Sequence, residues 1–144
     1  DGREVFNSLV RPTRPIPPGA TAVHRITDEM VADAPTLTEL YPHLKEILYN
    51  AVIVIYNVGY DAPLLKANLT RAGLPKINPA WVTCAMLAFA DFVGEWDEVH
   101  GNNRWQKLPE GDHTAIGDCK STLKIIQEIA ADGDIGVSDA TTRI

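Results

Sequence analysis

The run Ala51-Val52-Ile53-Val54-Ile55-Tyr56 constrains the fold more than any other stretch of the chain. It is apolar, mostly β-branched and without polar alternation, as expected of a central parallel strand covered on both faces. Parallel strands need a long crossover, usually a helix. The chain supplies one directly afterwards, with Leu64, Leu65, Leu69 and Ala72 as an apolar stripe, Pro63 near its start and Gly73 and Pro75 at its close. The class is therefore α/β. Open α/β sheets bind ligands at the carboxyl ends of their strands, which directs attention to Asn57-Val58-Gly59-Tyr60-Asp61.

Other elements follow from local patterns. Thr36-x-x-Glu39 forms a capping box. Leu37, Leu40, Tyr41, Leu44, Ile47 and Leu48 then recur at helical spacing, with Pro42 expected to kink or restart the helix. Thr27 offers a cap for a short turn through Val31. Pro12, Pro15, Pro17, Pro18 and Gly19 predict an extended crossing between Arg11 and Ala20. Arg3 to Val10 has weak strand character. Asp1-Gly2 suits a hairpin turn, which implies a strand before it that the sequence does not contain. Trp81 to Val93 suits either a short strand entering a helix or one helix. Gly94 to Gln106 is an irregular excursion, a candidate lid or specificity loop. At 144 residues the chain is of single-domain size. Residues 1–131 form the expected domain, and 132–144, rich in Gly, Asp, Ser and Thr, a tail or linker.

The second informative stretch is Glu110 to Thr122, leading into the helical pattern Leu123 to Ala131. His113 and Asp118 stand five positions apart, a spacing that puts them on separate faces of a continuous helix. If residues 111–117 are largely loop or frayed first turn, His113 folds back over the helix start and Asp118 occupies its opening turn. A base and a metal-binding carboxylate then share one site. Thr122, Ile125 and Ile129 continue the face that begins at Asp118, so this carboxylate lies at the edge of buried surface and needs a cation, a metal or hydrogen-bond donors. The bland alternative is a dipole-complementing aspartate beside a loop histidine. Asn57 and Asp61 have a similar alternative, a cap and a first-turn acid. Convergent carboxylates holding two divalent ions are the equipment for displacement at phosphorus.

A net charge of -6 and a pI near 5.1 argue against a protein that coats nucleic acid by bulk electrostatics. They leave room for an enzyme acting on nucleic-acid ends through carboxylate-bound ions. Cys84 and Cys119 are too few and too far apart for a metal knuckle or a disulfide framework. No run reaches membrane-spanning length, and neither a signal nor a transit peptide is visible. The expectation is a cytoplasmic protein without membrane association.

These residues resemble the DEDDh group of 3′-to-5′ exonucleases, which includes bacterial proofreading subunits and related trimming nucleases such as RNase T. Val54-Ile55-Tyr56-Asn57-Val58-Gly59-Tyr60-Asp61 is similar to the second exonuclease motif, and His113-Thr114-Ala115-Ile116-Gly117-Asp118 to the third. Val23 to Met30 and Ala34 to Leu37 resemble the segment between the early strands and the first helix. The resemblance implies an RNase H-like fold, a mixed sheet flanked by helices, and release of nucleoside monophosphates from a free 3′ end, with two Mg²⁺ or Mn²⁺ ions. DNA is the foremost substrate and RNA the alternative. By position, Asp118 would ligate a metal, Asp61 would hold the second ion, and His113 would be the general base, a task suited to a group titrating near neutrality. Asn57, Tyr60 and His24 would line the pocket for the terminal nucleotide, against local readings as cap, core aromatic and loop polar residue. Asp91, Asp97 and Asp112 are expected to be solvated surface acids.

The family's first motif, Asp-x-Glu, does not occur in the sequence. Its place would be upstream of Asp1, as would the strand that the Asp1-Gly2 turn requires. The expectation is therefore a sheet missing its N-terminal strands, and a segment inactive alone unless further residues or another chain complete it. Two alternatives stand beside the exonuclease: a non-catalytic nucleic-acid-binding relic of the same fold, and a metal hydrolase of small phosphate esters.

Overall fold

In the computed structural model, which describes residues 2–132, the apolar run forms strand β1 (Val52–Ile55). It pairs in parallel with β2 (Trp81–Cys84), with Val52 opposite Trp81 and Ile55 opposite Cys84. The crossover between them contains α4 (Val58–Arg71), closed by Gly73 at a φ of 68°. Before β1 come α1 (Pro18–His24), α2 (Asp28–Val31) and α3 (Leu37–Leu48). After β2 come α5 (Ala85–Val93), a hairpin of β3 (Trp96–Asp97) and β4 (Asn102–Asn103), and α6 (Ala115–Ala131).

The caps behave as their residue types dictate. Thr36 and Glu39 make the reciprocal bonds of a capping box, and Thr27 accepts from the Met30 amide. The Trp81 to Val93 stretch resolves into a strand entering a helix, and 94–106 into a hairpin. The core lies where β2 and α5 meet α6: Val82, Ala85, Met86 and Ala90 on one side, Ser121, Thr122 and Ile125 on the other, all buried.

Four expectations require correction. Pro42 does not restart α3, which runs through it; residues 38 and 42 are both exposed, so the Thr38 carbonyl that loses its amide partner can be hydrated. The extended crossing expected as far as Ala20 stops at Pro17, which is extended; Pro18 opens α1, where a proline at N1 forfeits no hydrogen bond. Arg3 to Val10 forms no strand and joins neither sheet among the described residues. Finally, β1 is not covered on both faces. Val52 is 72% exposed and Val54 40%, and only one edge of the strand is paired among the described residues. On the other face, α4 stands off from the sheet over a cavity of about 650 Å³, lined among others by Ile55, Leu65, Leu69, Trp81 and Val82. The expected tail beyond Asp132 lies outside the described residues. Among those residues, no helix is long and apolar enough to cross a membrane.

Candidate active site

The carboxyl end of β1 is tied down through Tyr56. Its carbonyl accepts the Met86 amide at 2.9 Å and lies 3.3 Å from Cys84 Sγ, which joins it to the β2–α5 junction. Its hydroxyl donates to the Gln106 carbonyl at 2.8 Å, which fixes the exit of the hairpin beside the same strand end. From this anchored point the chain turns directly into α4. Asn57 occupies the N-cap position but makes no side-chain cap bond, so its side-chain amide is left for another partner. Asp61 sits in the first turn of α4, where the helix dipole favours negative charge.

Asp118 occupies the equivalent position in α6. Its Oδ1 is buried and has no hydrogen-bond partner. Asp61 senses the other carboxylate. Asp61 is held above the ordinary carboxylate range first by burial and then by the charge of Asp118. The Cys119 thiol is pushed up by burial and then by both acids. An unpartnered buried carboxylate oxygen near a second carboxyl group is a donor set whose hard oxygens suit a divalent cation. Among the described residues no group of three or more His, Cys, Asp or Glu assembles. The pair thus fits part of a metal shell, with the remaining ligands to come from water, substrate or further residues.

His113 is exposed, outside the helix, in the left-handed region at a φ of 62°. The loop carrying it lies against Asp118: a Cβ built on Gly111 would stand 3.1 Å from Asp118 Oδ1. The loop that carries His113 and the opening turn of α6 that carries Asp118 are therefore in contact through Gly111. Tyr60 is 67% exposed on the first turn of α4, so the core-aromatic reading is wrong and its ring is available. His24 ends α1, and its Nδ1 accepts the Ile26 amide at 3.0 Å. No hydrogen bond from His24 to the acids is present among the described residues. Asp91 and Asp97 serve the hairpin, accepting from Asn103 and from Val99 and His100 respectively.

Asp112 is more than a solvated acid. Its Oδ1 accepts the Thr114 amide at 2.9 Å and the Thr114 hydroxyl at 2.7 Å, bonds that hold its carboxyl below the usual range. Thr114 in turn caps α6 by accepting the Gly117 amide at 3.0 Å. The signal for this is local and readable: Asp-x-Thr before a helix is a pattern in which short polar side chains bond to nearby backbone.

Comparison with known proteins identifies the family. The exonuclease family model named for RNase T matches residues 1–126. The exonuclease CP81 of Escherichia phage 186 is 34% identical over 90% of this chain and 74% of its own length. A DNA polymerase III subunit epsilon-like protein of Rhodobacter capsulatus is also 34% identical over 90% of the chain, and exodeoxyribonuclease 10 of Escherichia coli K12 is 32% identical over the same share. The chain spans only 20% and 57% of those two proteins. A solved structure of exonuclease X with 5′-overhanging duplex DNA superposes with a TM-score of 0.57 at 26% identity, covering 92% of this chain and 78% of the other.

Proposed function

The chain belongs to the RNase T exonuclease family, of the DEDDh type and RNase H-like in fold, and from that premise we propose that its protein removes nucleoside monophosphates from the 3′ end of a nucleic acid. The family normally works with divalent metals. Here Asp118 and Asp61 would hold them, Mg²⁺ or Mn²⁺, two in the complete site. Such ions supply a lowered pKa for bound water and charge neutralisation at the phosphate.

The chain's own residues have distinct tasks in this proposal. His113, exposed on its loop, takes a proton from the attacking water and returns to the solvent-facing state between turnovers. Asn57, with its side-chain amide uncommitted, donates or accepts at the terminal nucleotide. Tyr60 offers an exposed ring to a base, and aromatic faces suit unpaired ends because every base can stack on them. His24 belongs to the same pocket in this reading. DNA is the preferred substrate, in keeping with the duplex DNA bound to exonuclease X.

The observation that carries the reading is the buried, unpartnered Asp118 Oδ1 beside Asp61, with the His113 loop laid against it. The open edge of β1, with Val52 and Val54 exposed, belongs to the same proposal. A further strand, from this protein or another chain, pairs there and covers the apolar face. The test is incubation of the full natural protein with 3′-labelled and 5′-labelled oligonucleotides and Mn²⁺, beside Asp118→Ala. A ladder shortening from the 3′ end and lost in the variant supports the proposal. Tight binding without cleavage would leave a binding relic instead.

A further inference from the structure

We propose that Asp112 and Gly117 form a lock that positions His113 for catalysis, an inference that rests on the exonuclease reading above. Asp112 immediately precedes His113 and bonds across it: both the amide and the hydroxyl of Thr114 donate to Asp112 Oδ1, at 2.9 and 2.7 Å. His113 is thereby the single residue spanned by a two-bond bracket. It sits at a φ of 62°, a region a residue with a Cβ enters only when its surroundings enforce it.

The bracket needs room, and Gly117 provides it. A Cβ built at Gly117 would lie 2.6 Å from Asp112 Cγ and 2.8 Å from Oδ2, closer than carbon atoms approach in real structures. Gly117 has no unusual φ of its own and lies inside the first turn of α6, where glycine is a poor helix former and alanine a good one. Its backbone does not require glycine; a methyl group there would displace the Asp112 carboxylate from the position in which it accepts both Thr114 bonds. The Gly117 amide also donates to Thr114 Oγ1, so the same residue closes the chain of bonds Asp112, Thr114, Gly117. One residue further on is Asp118, whose Oδ1 lies close to Gly111. The loop thus meets the helix start at two consecutive residues, Gly111 against Asp118 and Asp112 against Gly117. His113 follows directly, so its path begins from a point held beside the carboxylate it must work with. Asp112 and Gly117 act through His113 and are positioning residues.

The test uses the full natural protein and five variants: Gly117→Ala, Asp112→Ala, Asp112→Asn, His113→Ala and the double variant Gly117→Ala with His113→Ala. Gly117→Ala and Asp112→Ala are expected to lower kcat at least tenfold with KM within about twofold, because an intact substrate pocket with a displaced base loses the chemical step. Asp112→Asn, whose Oδ1 still accepts both Thr114 bonds, retains most of kcat. Adding Gly117→Ala to His113→Ala brings no further loss, since the lock has nothing left to position. Equal loss in Asp112→Asn and Asp112→Ala, or additive losses in the double variant, would overturn the proposal. Amide exchange gives a readout independent of activity: protection of the Thr114 amide is lost in Asp112→Ala and kept in Asp112→Asn. A wild-type protein that leaves oligonucleotides intact refutes the exonuclease reading, whereas retained Thr114 protection in Asp112→Ala refutes the lock.

Discussion

Replacing Asp118 by asparagine stabilises the metal-free protein. Asp118 Oδ1 is buried without a donor, so as an ionised group it loses hydration and gains nothing in return. A buried unsatisfied polar atom costs on the order of 1–3 kcal/mol, more when charged. Asparagine keeps the shape and removes the charge but still leaves an amide to satisfy. The net gain therefore falls near the low end, about 1 kcal/mol, or roughly 3–5 °C in Tm for a chain of this size. Charge acts through Asp61 as well. Because Asp61 is raised above its ordinary 3.8 by burial and then by Asp118, the folded state holds that proton more tightly than the unfolded chain. Stability consequently falls as pH rises from the ordinary carboxylate value through the raised one. Asp118→Asn removes the second cause and leaves the first, so this slope shrinks without vanishing.

Urea unfolding, followed by fluorescence of Trp81, Trp96 and Trp105 in EDTA and in excess Mg²⁺ or Mn²⁺, measures both effects. A divalent ion at a hundred times its Kd adds about 2.7 kcal/mol to the wild type, and that increment disappears in Asp118→Asn. One substitution thus moves the two readings in opposite directions: more stable without metal, less responsive with it. A variant less stable than wild type in EDTA that keeps the full metal increment would show that Asp118 is not a seat for the cation, and the reasoning would fail.

Other consequences are simpler. His113→Ala lowers kcat by about 10²–10⁴-fold and leaves the urea midpoint unchanged, since the side chain is exposed; an active variant would remove the base from the mechanism. Tyr60→Ala raises KM for single-stranded oligonucleotides by about tenfold with little change in kcat, in line with roughly 1–3 kcal/mol for a stacked base; an unchanged KM strikes Tyr60 from the pocket. Thr36→Ala breaks the capping box of α3 and costs about 1 kcal/mol, read as faster amide exchange at the Glu39 amide, while activity per folded molecule stays the same.

What the sequence makes legible is whatever its own neighbours decide. The capping box at Thr36 and Glu39, the strand at Val52 to Ile55 and the helix closed by Gly73 each depend on residues within a few positions, so their patterns survive intact in the fold. The failures have a common physical form. An apolar run states what a strand requires, and Val52 at 72% exposure shows that the requirement is met or unmet by something distant in sequence. Pro17 and Pro18 look like breakers in a proline-rich stretch although proline at the first helical position costs nothing, because whether a proline opens or ends a helix depends on the residues after it.

The site divides along the same line. Carboxylates at two helix starts and a histidine before one of them are visible as residue types at telling positions, since acids in a first turn have a local electrostatic reason to be there. The effect of Asp118 on Asp61 is not, because the two residues are brought near one another only in space. Asp112 is the instructive intermediate case. Its bonds to Thr114 span two positions and are readable, yet their meaning is not, since the space that accommodates the carboxylate is the side chain Gly117 lacks. A glycine chosen for an absent atom looks, in sequence, like any poor helix former; only the distance from its would-be Cβ to Asp112 separates a tolerated defect from a requirement of the site.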